Sequence, residues 1–187
     1  MVGTQLVFKT FDTNKKWSDK FMPEIKRLCQ EYIPIDIQIA SPFEDKKHAT
    51  DLLIPDIRIG CRVRRNKYHR RYNGQFTIRC ELPSENETEI DKIMEGWGDY
   101  YFFGFSNYKD NGNGFVSWII FNLDVFRQMY TYRFVKGIPS IRASCLINNG
   151  DGSSSFRAFV AESFPNRFVI AEKRFCVPVY KLPTKYS

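Results

Sequence analysis

Between residues 57 and 80 the chain places Arg58, Arg62, Arg64, Arg65, Lys67, Arg70, Arg71 and Arg79 and no acidic residue. That segment carries +8 against +7 for the whole chain, so the remaining residues together sum to −1. A basic excess this local suits a polyanion, because phosphates neutralised by bound cations release their condensed counterions. In the stretch from Arg65 to Tyr72 the cations alternate with Tyr68, His69 and Tyr72. Guanidinium forks grip phosphate oxygens in pairs, and aromatic rings stack on bases. The chemistry to expect is nucleic-acid binding, with Arg58, Arg65, Lys67, Tyr68, His69, Arg70, Arg71, Tyr72 and Arg79 as contact residues. The competing reading is a solvated sheet face whose arginines pair with acids such as Asp51, Glu81 or Asp99.

Hydrophobic periodicity gives the elements that must position these side chains. Ile57, Ile59, Cys61 and Val63 alternate with Arg58, Gly60, Arg62 and Arg64, and Phe76, Ile78, Cys80 and Leu82 alternate with Gln75, Thr77, Arg79 and Glu81. A period of two predicts two strands. Asn73-Gly74, closing the loop between them, predicts that they are neighbours in one sheet, a hairpin with apolar side chains inward and arginines outward. Upstream, Trp17, Phe21, Ile25, Leu28, Cys29 and Tyr32 recur at helical spacing and predict a helix from 14 or 18 to 32. Ile35, Ile37 and Ile39 alternate as a strand, residues 41–50 form a polar break, and Leu52 to Ile54 is a short apolar run. Downstream, the segment from Ser84 to Gly96 opens on a cap and acids and stops on glycine, a short helix. Strands follow over 100–105 and 115–121, then a helix from Leu123 to about Tyr132, a loop over 148–155, and one or two strands within 167–179. Residues 4–11 alternate weakly, as a short edge strand would.

The order helix, strand, strand, strand, helix, strand over residues 14–105 resembles the core of the PD-(D/E)XK nucleases. The resemblance implies an α/β (α+β) fold over residues 1–187: a mixed central sheet flanked by helices, an αβββαβ core, and additions over 106–187 packed on it. It also implies phosphodiester hydrolysis with Mg²⁺ or Mn²⁺. That family sets a metal-binding Asp at the start of the second core strand, an (Asp/Glu)-x-Lys on the next strand, and often an assisting Glu on the first helix. Here Asp51, within Thr50-Asp51-Leu52, takes the first place and Glu24 the helix place. The (Asp/Glu)-x-Lys is missing, since the two strands read Cys61-Arg62-Val63-Arg64 and Thr77-Ile78-Arg79-Cys80-Glu81. A divalent ion of this class favours hard oxygen ligands, about two of them carboxylates. Asp51 and Glu81 are therefore the ligands to expect, with Arg62 or Arg64 standing in for the lysine as a charge. Arginine stays protonated and cannot act as a base. The catalytic candidates are Asp51, Glu24, Arg62 and Arg64. Asp51 and Asp56 also suit ordinary turn positions.

Other chemistries lose ground on composition. The five cysteines are widely spaced with no C-x-x-C, and His48 and His69 are the only histidines, so neither a zinc ribbon nor a histidine-rich centre is expected. No phosphate-cradling P-loop, G-x-S-x-G or H-E-x-x-H occurs. Gly96-Trp97-Gly98-Asp99-Tyr100-Tyr101 reads either as an aromatic platform or, more simply, as a helix stop leading into a core strand. No apolar run reaches the roughly 18 residues of a membrane span, and the N-terminus lacks a secretory pattern, so a cytoplasmic protein without a membrane partner is expected. The series Thr50-Asp51-Leu52, Arg62-Val63-Arg64, Phe76-Thr77-Ile78-Arg79 and Gly96 to Tyr101 also resembles phage-borne proteins. Two functions stay open. One is a nuclease-like domain, and the other is a non-enzymatic phage or defence factor that binds nucleic acid, a nucleoprotein complex or an acidic protein through the same arginines.

Overall fold

Strands with no polar phase have to be covered on both faces. Tyr100–Ser106 and Phe115–Asn122 are such strands, and they form the middle of the protein. The computed structural model describes residues 12–33, 38–48, 51–54, 57–83, 86–109, 112, 114–150 and 152–173. In chain order the elements are α1 (12–19), α2 (Met22–Tyr32), β1 (Gln38–Ile39), α3 (Pro42–His48), β2 (Leu52–Ile54) and β3 (Ile57–Arg64). Then come β4 (Gln75–Glu81), α4 (Glu89–Met94), β5 (Tyr100–Ser106), β6 (Phe115–Asn122), α5 (Leu123–Tyr130), β7 (Ile147–Asn148), β8 (Ser155–Val160) and β9 (Val169–Lys173). A six-stranded mixed sheet runs β1-β2-β3-β5-β6-β9, and a three-stranded sheet runs β4-β8-β7. The class is α+β, a mixed sheet flanked by helices.

Each face of the large sheet has its own core. Phe102, Trp118 and Ile120 join Leu52 and Ile59 against Phe21, Ile25, Leu28 and Cys29 of the helical layer. Tyr101, Phe103, Phe105, Ile119 and Phe121 face the other way, onto the small sheet and α5. There Phe76 is fully buried, with its ring centroid 4.5 Å from Phe121, 5.4 Å from Phe159 and 5.6 Å from Phe168.

The expected hairpin does not form. β3 pairs antiparallel with β2 (Leu52↔Ile59) and parallel with β5 (Ile59↔Tyr100 through Arg64↔Phe105), so both its edges are occupied. β4 lies in the small sheet, antiparallel to β8 (Gln75↔Val160). The connection from residue 65 to 74 is long enough to carry the chain across between sheets. The phase of both strands holds: Ile59, Phe76 and Ile78 are fully buried, with Cys61, Val63 and Cys80 half-buried. From α2 to β5 the order is α2, β1, α3, β2, β3, β4, α4, β5, so α3 and the transfer of β4 to the small sheet both depart from the expected αβββαβ order.

Local differences have local causes. The first helix divides at Lys20-Phe21, and α2 begins with proline in its first turn, where the missing N–H costs nothing. α3 occupies the expected polar break; it is short and its Phe43 is exposed, so no buried face marked it in the sequence. α4 starts from a capping box between Thr88 and Asp91. α5 starts at Asn122, whose side chain accepts the N–H groups of Asp124 and Val125. The strand expected over 4–11, most of that over 35–39, Asp56, Ser84 as a cap, and any strand after residue 173 lie outside the described residues. No described helix is long and apolar enough to cross a membrane. Because Phe76 joins the two sheets, Phe76→Ala is expected to cost about 3–5 kcal/mol, read from urea unfolding followed by fluorescence.

Candidate nucleic-acid interface

The eight cations of residues 57–80 divide according to what covers them. Strand alternation turns Arg62 away from the helical layer, toward the small sheet and α4. There it pairs with Glu89 at 2.6 Å. Glu89 also accepts the backbone N–H of Arg79 at 2.8 Å and the hydroxyl of Tyr101. Burial pushes the Glu89 carboxyl upward, but the Arg62 charge and these donors outweigh it and hold it below its usual value. Burial and the neighbouring Glu89 charge raise the Tyr101 hydroxyl well above its own.

Arg64 points the same way and meets rings instead of a carboxylate. Its guanidinium carbon lies 4.5 Å from the ring centroid of Phe156, 5.8 Å from Tyr68 and 5.9 Å from Tyr72, and its Nε donates to Thr77 Oγ1 at 3.2 Å. Burial, helped by the nearby charge of Arg62, lowers it to about 10. Arg58 lies 5.0 Å over Trp97, which in turn stacks on His48 at 4.0 Å. Arg79 is half-buried. The solvated arginine face expected from the sequence is therefore corrected: these residues lie between the sheets or on rings.

The loop after β3 presents charge outward. Lys67, Arg70 and Arg71 are exposed and Tyr68 is partly so, whereas His69 is half-buried edge-on to Phe105 and Tyr72 is buried. Two neighbours complete this surface. Arg65 lies 4.2 Å over the Trp17 ring, which ties the loop to α1. Asn66 donates its N–H to Ser106 Oγ at 3.1 Å and its Nδ2 to Asn107 O at 2.9 Å, which ties it to the turn after β5. That turn also reaches the end of α1: Gly112 has φ +85°, and a Cβ there would stand 2.7 Å from Lys20 O. Lys16 on α1, Lys20 at its end, and Lys109 beside the exposed ring of Tyr108 thus stand exposed on the elements that hold the loop carrying Lys67, Arg70 and Arg71. Among the described residues none of these six cations has a carboxylate within ion-pair distance. The sequence did not mark the three added lysines, because they lie far along the chain from residues 57–80 and beside acids such as Asp19 and Asp110.

The proposed hydrolytic residues scatter. Asp51 accepts the Cys61 N–H at 2.7 Å; burial first, then the charge of Asp45, pushes its carboxyl up to about 7. Asp45 is itself ion-paired with Lys15. Glu24 is held by Arg27 at 3.0 Å on α2, beside a groove that Tyr32, Trp118 and Lys173 also line. Glu81 is exposed at the end of β4, opposite Ser155 in the other sheet. Among the described residues no three of His, Cys, Asp and Glu form a group that can hold a metal ion, so Asp51, Glu24 and Glu81 do not meet. These side chains do not fit a divalent-ion site. Arg62 and Arg64 do meet, on the side of β3 that faces the small sheet.

Glu89→Gln should cost about 3–5 kcal/mol by leaving Arg62 buried without a counter-charge. Because the Glu89 carboxyl is lowered, its stabilisation is full above pH 4.5 and is lost as pH falls through the folded-state value. Urea melts from pH 7 to pH 3 check both statements; in Glu89→Gln this acid-dependent loss should shrink. Set against protein-family models, curated proteins and solved structures, the chain matches none of them.

Proposed function

We propose that the protein is a nucleic-acid-binding domain on a nuclease-like core, and that the 65–71 loop, α1 and the turn after β5 make the contact. The observation that carries this reading is the cluster of Lys16, Lys20, Lys67, Arg70, Arg71 and Lys109, exposed and without carboxylate partners among the described residues. Such a surface gains affinity by releasing counterions from a phosphate backbone. The rings of Tyr68 and Tyr108, the second 82% exposed, suit unpaired bases better than a duplex whose bases are already stacked. Single-stranded DNA or RNA is the better substrate on this account.

Fluorescence anisotropy with labelled single- and double-stranded DNA and RNA tests it. Affinity should fall steeply between roughly 50 and 200 mM salt. Combined Lys67→Ala, Arg70→Ala and Arg71→Ala should reduce the salt slope by about 2–3, at about 0.7–0.9 for each lost phosphate contact. Arg65 is left in place because it packs on Trp17. Absence of binding to every nucleic acid at the lowest salt overturns the reading.

One observation favours hydrolysis as a second reading. Asp51 stands directly ahead of β2, the second described strand in the chain, with its carboxyl accepting the Cys61 N–H. If the chain cleaves nucleic acid with Mg²⁺ or Mn²⁺ as the resemblance implies, Asp51→Asn should abolish cleavage and leave binding intact. The asparagine oxygen still accepts the Cys61 N–H, so folding should survive. Equal cleavage by wild type and Asp51→Asn removes Asp51 from the site, and a wild type that binds without cleaving any substrate leaves the binding reading alone.

A further inference from the structure

Resting on that reading of the basic surface, we propose that Arg64 is its phosphate anchor. It grips one phosphate group through its two terminal nitrogens, and the exposed lysines and arginines around it supply the attracting field. The inference starts from how differently the buried arginines are matched. Arg62 has Glu89 at 2.6 Å. Arg127 gives Nε to Ile93 O at 2.6 Å and Nη2 to Trp97 O at 3.1 Å and to Gly98 O, and pairs through Nη1 with Asp124. Arg64 gives only Nε, to the Thr77 hydroxyl. No carboxylate among the described residues pairs with it.

Phe156, Tyr68 and Tyr72 hold the guanidinium by their faces and so fix its position, but ring faces leave the edge-on N–H groups without acceptors. Among the described residues four of its five donors are uncommitted. The Nη atoms of Arg64 do not belong to the fully buried side-chain atoms that lack a hydrogen bond among the described residues.

The same rings collect further positive charge. Lys67 Nζ lies 5.1 Å from the centroid of Tyr68, and the Arg71 guanidinium 5.4 Å from that of Tyr72. Three cations thus share two tyrosine rings, and among the described residues none of them pairs with a carboxylate. Glu89 acts on Arg64 from beyond ion-pair distance, so an anion at the fork relieves the repulsion among the three cations further, and a planar fork presents paired N–H groups to two phosphate oxygens. A pre-positioned fork loses little conformational freedom on binding.

Two measurements test the anchor. In the first, arginines of the wild-type chain are labelled with phenylglyoxal and mapped by mass spectrometry, alone, with a single-stranded oligonucleotide, and with inorganic pyrophosphate. Labelling of Arg64 should slow severalfold with either anion, while exposed Arg27 is unaffected. In the second, Arg64→Lys keeps the charge and loses the fork, so oligonucleotide affinity should fall about tenfold with the salt slope unchanged. An oligonucleotide that binds without protecting Arg64, or that binds Arg64→Lys as tightly as wild type, overturns the anchor and leaves the interface standing. If the wild type binds no oligonucleotide, the interface reading fails, and protection by pyrophosphate alone decides for or against Arg64. Near-UV circular dichroism shows whether Arg64→Lys folds; if it does not, the wild-type labelling decides.

Discussion

A carboxylate taken out of water must find its hydrogen bonds inside the protein, and Glu89 finds them on three strands at once. It takes Arg62 from β3, the Arg79 backbone from β4 and the Tyr101 hydroxyl from β5, while itself opening α4. β3 and β5 belong to the large sheet and β4 to the small one, so this acid is where the two sheets are tied together by polar bonds. Around it the joint is aromatic, with Phe76 seated among Phe121, Phe159 and Phe168. The apolar packing supplies most of the burial. The acid fixes which way β3 faces.

That orientation decides which cations are available. With Arg62 drawn toward Glu89, the period of the strand sends Arg64 inward too, and Arg58 comes to lie on Trp97. Exposed charge begins only once the strand ends, with Lys67, Arg70 and Arg71 of the loop that follows. The net basicity of residues 57–80 is thus partly internal, and the exposed positive charge also comes from Lys16, Lys20 and Lys109 elsewhere in the chain.

The limits of the sequence have the same origin. Alternation in 57–64 and 75–81 identified the apolar phases, because a period of two is a local property. It could not say what covers the polar phase, and arginine reads as an outward residue unless its counter-charge is known. Glu89 sits among the acids that open a short helix, and that place conceals its second role as the partner of Arg62. One signal for the correct pairing was present: β5 and β6 have no polar phase, so a second layer had to cover the side of the sheet that β3 shares. α3 was hidden because seven mostly polar residues show no buried face. Asp51 reads in the sequence as a metal ligand or a turn residue; its partners in the structure, the Cys61 N–H and the Asp45 charge, come from packing that spacing does not encode.

The register of β4 with β8 has a kinetic side. Gln75 pairs with Val160 and Phe76 with Phe159, while β3 and β5, which flank β4 in the chain, pair with each other across a much shorter separation. Contacts closed over long loops form late, since their entropy must be overcome before they contribute. The large sheet can therefore assemble from β1 to β6 while β4 still lacks a strand partner. During synthesis β4 has to wait until β8 leaves the ribosome, with Phe76 and Ile78 uncovered and its edge open to other chains. A chain stopped short of residue 155 would hold the basic loop and its tyrosines without Phe156 to back them. Such a fragment would be sticky rather than selective.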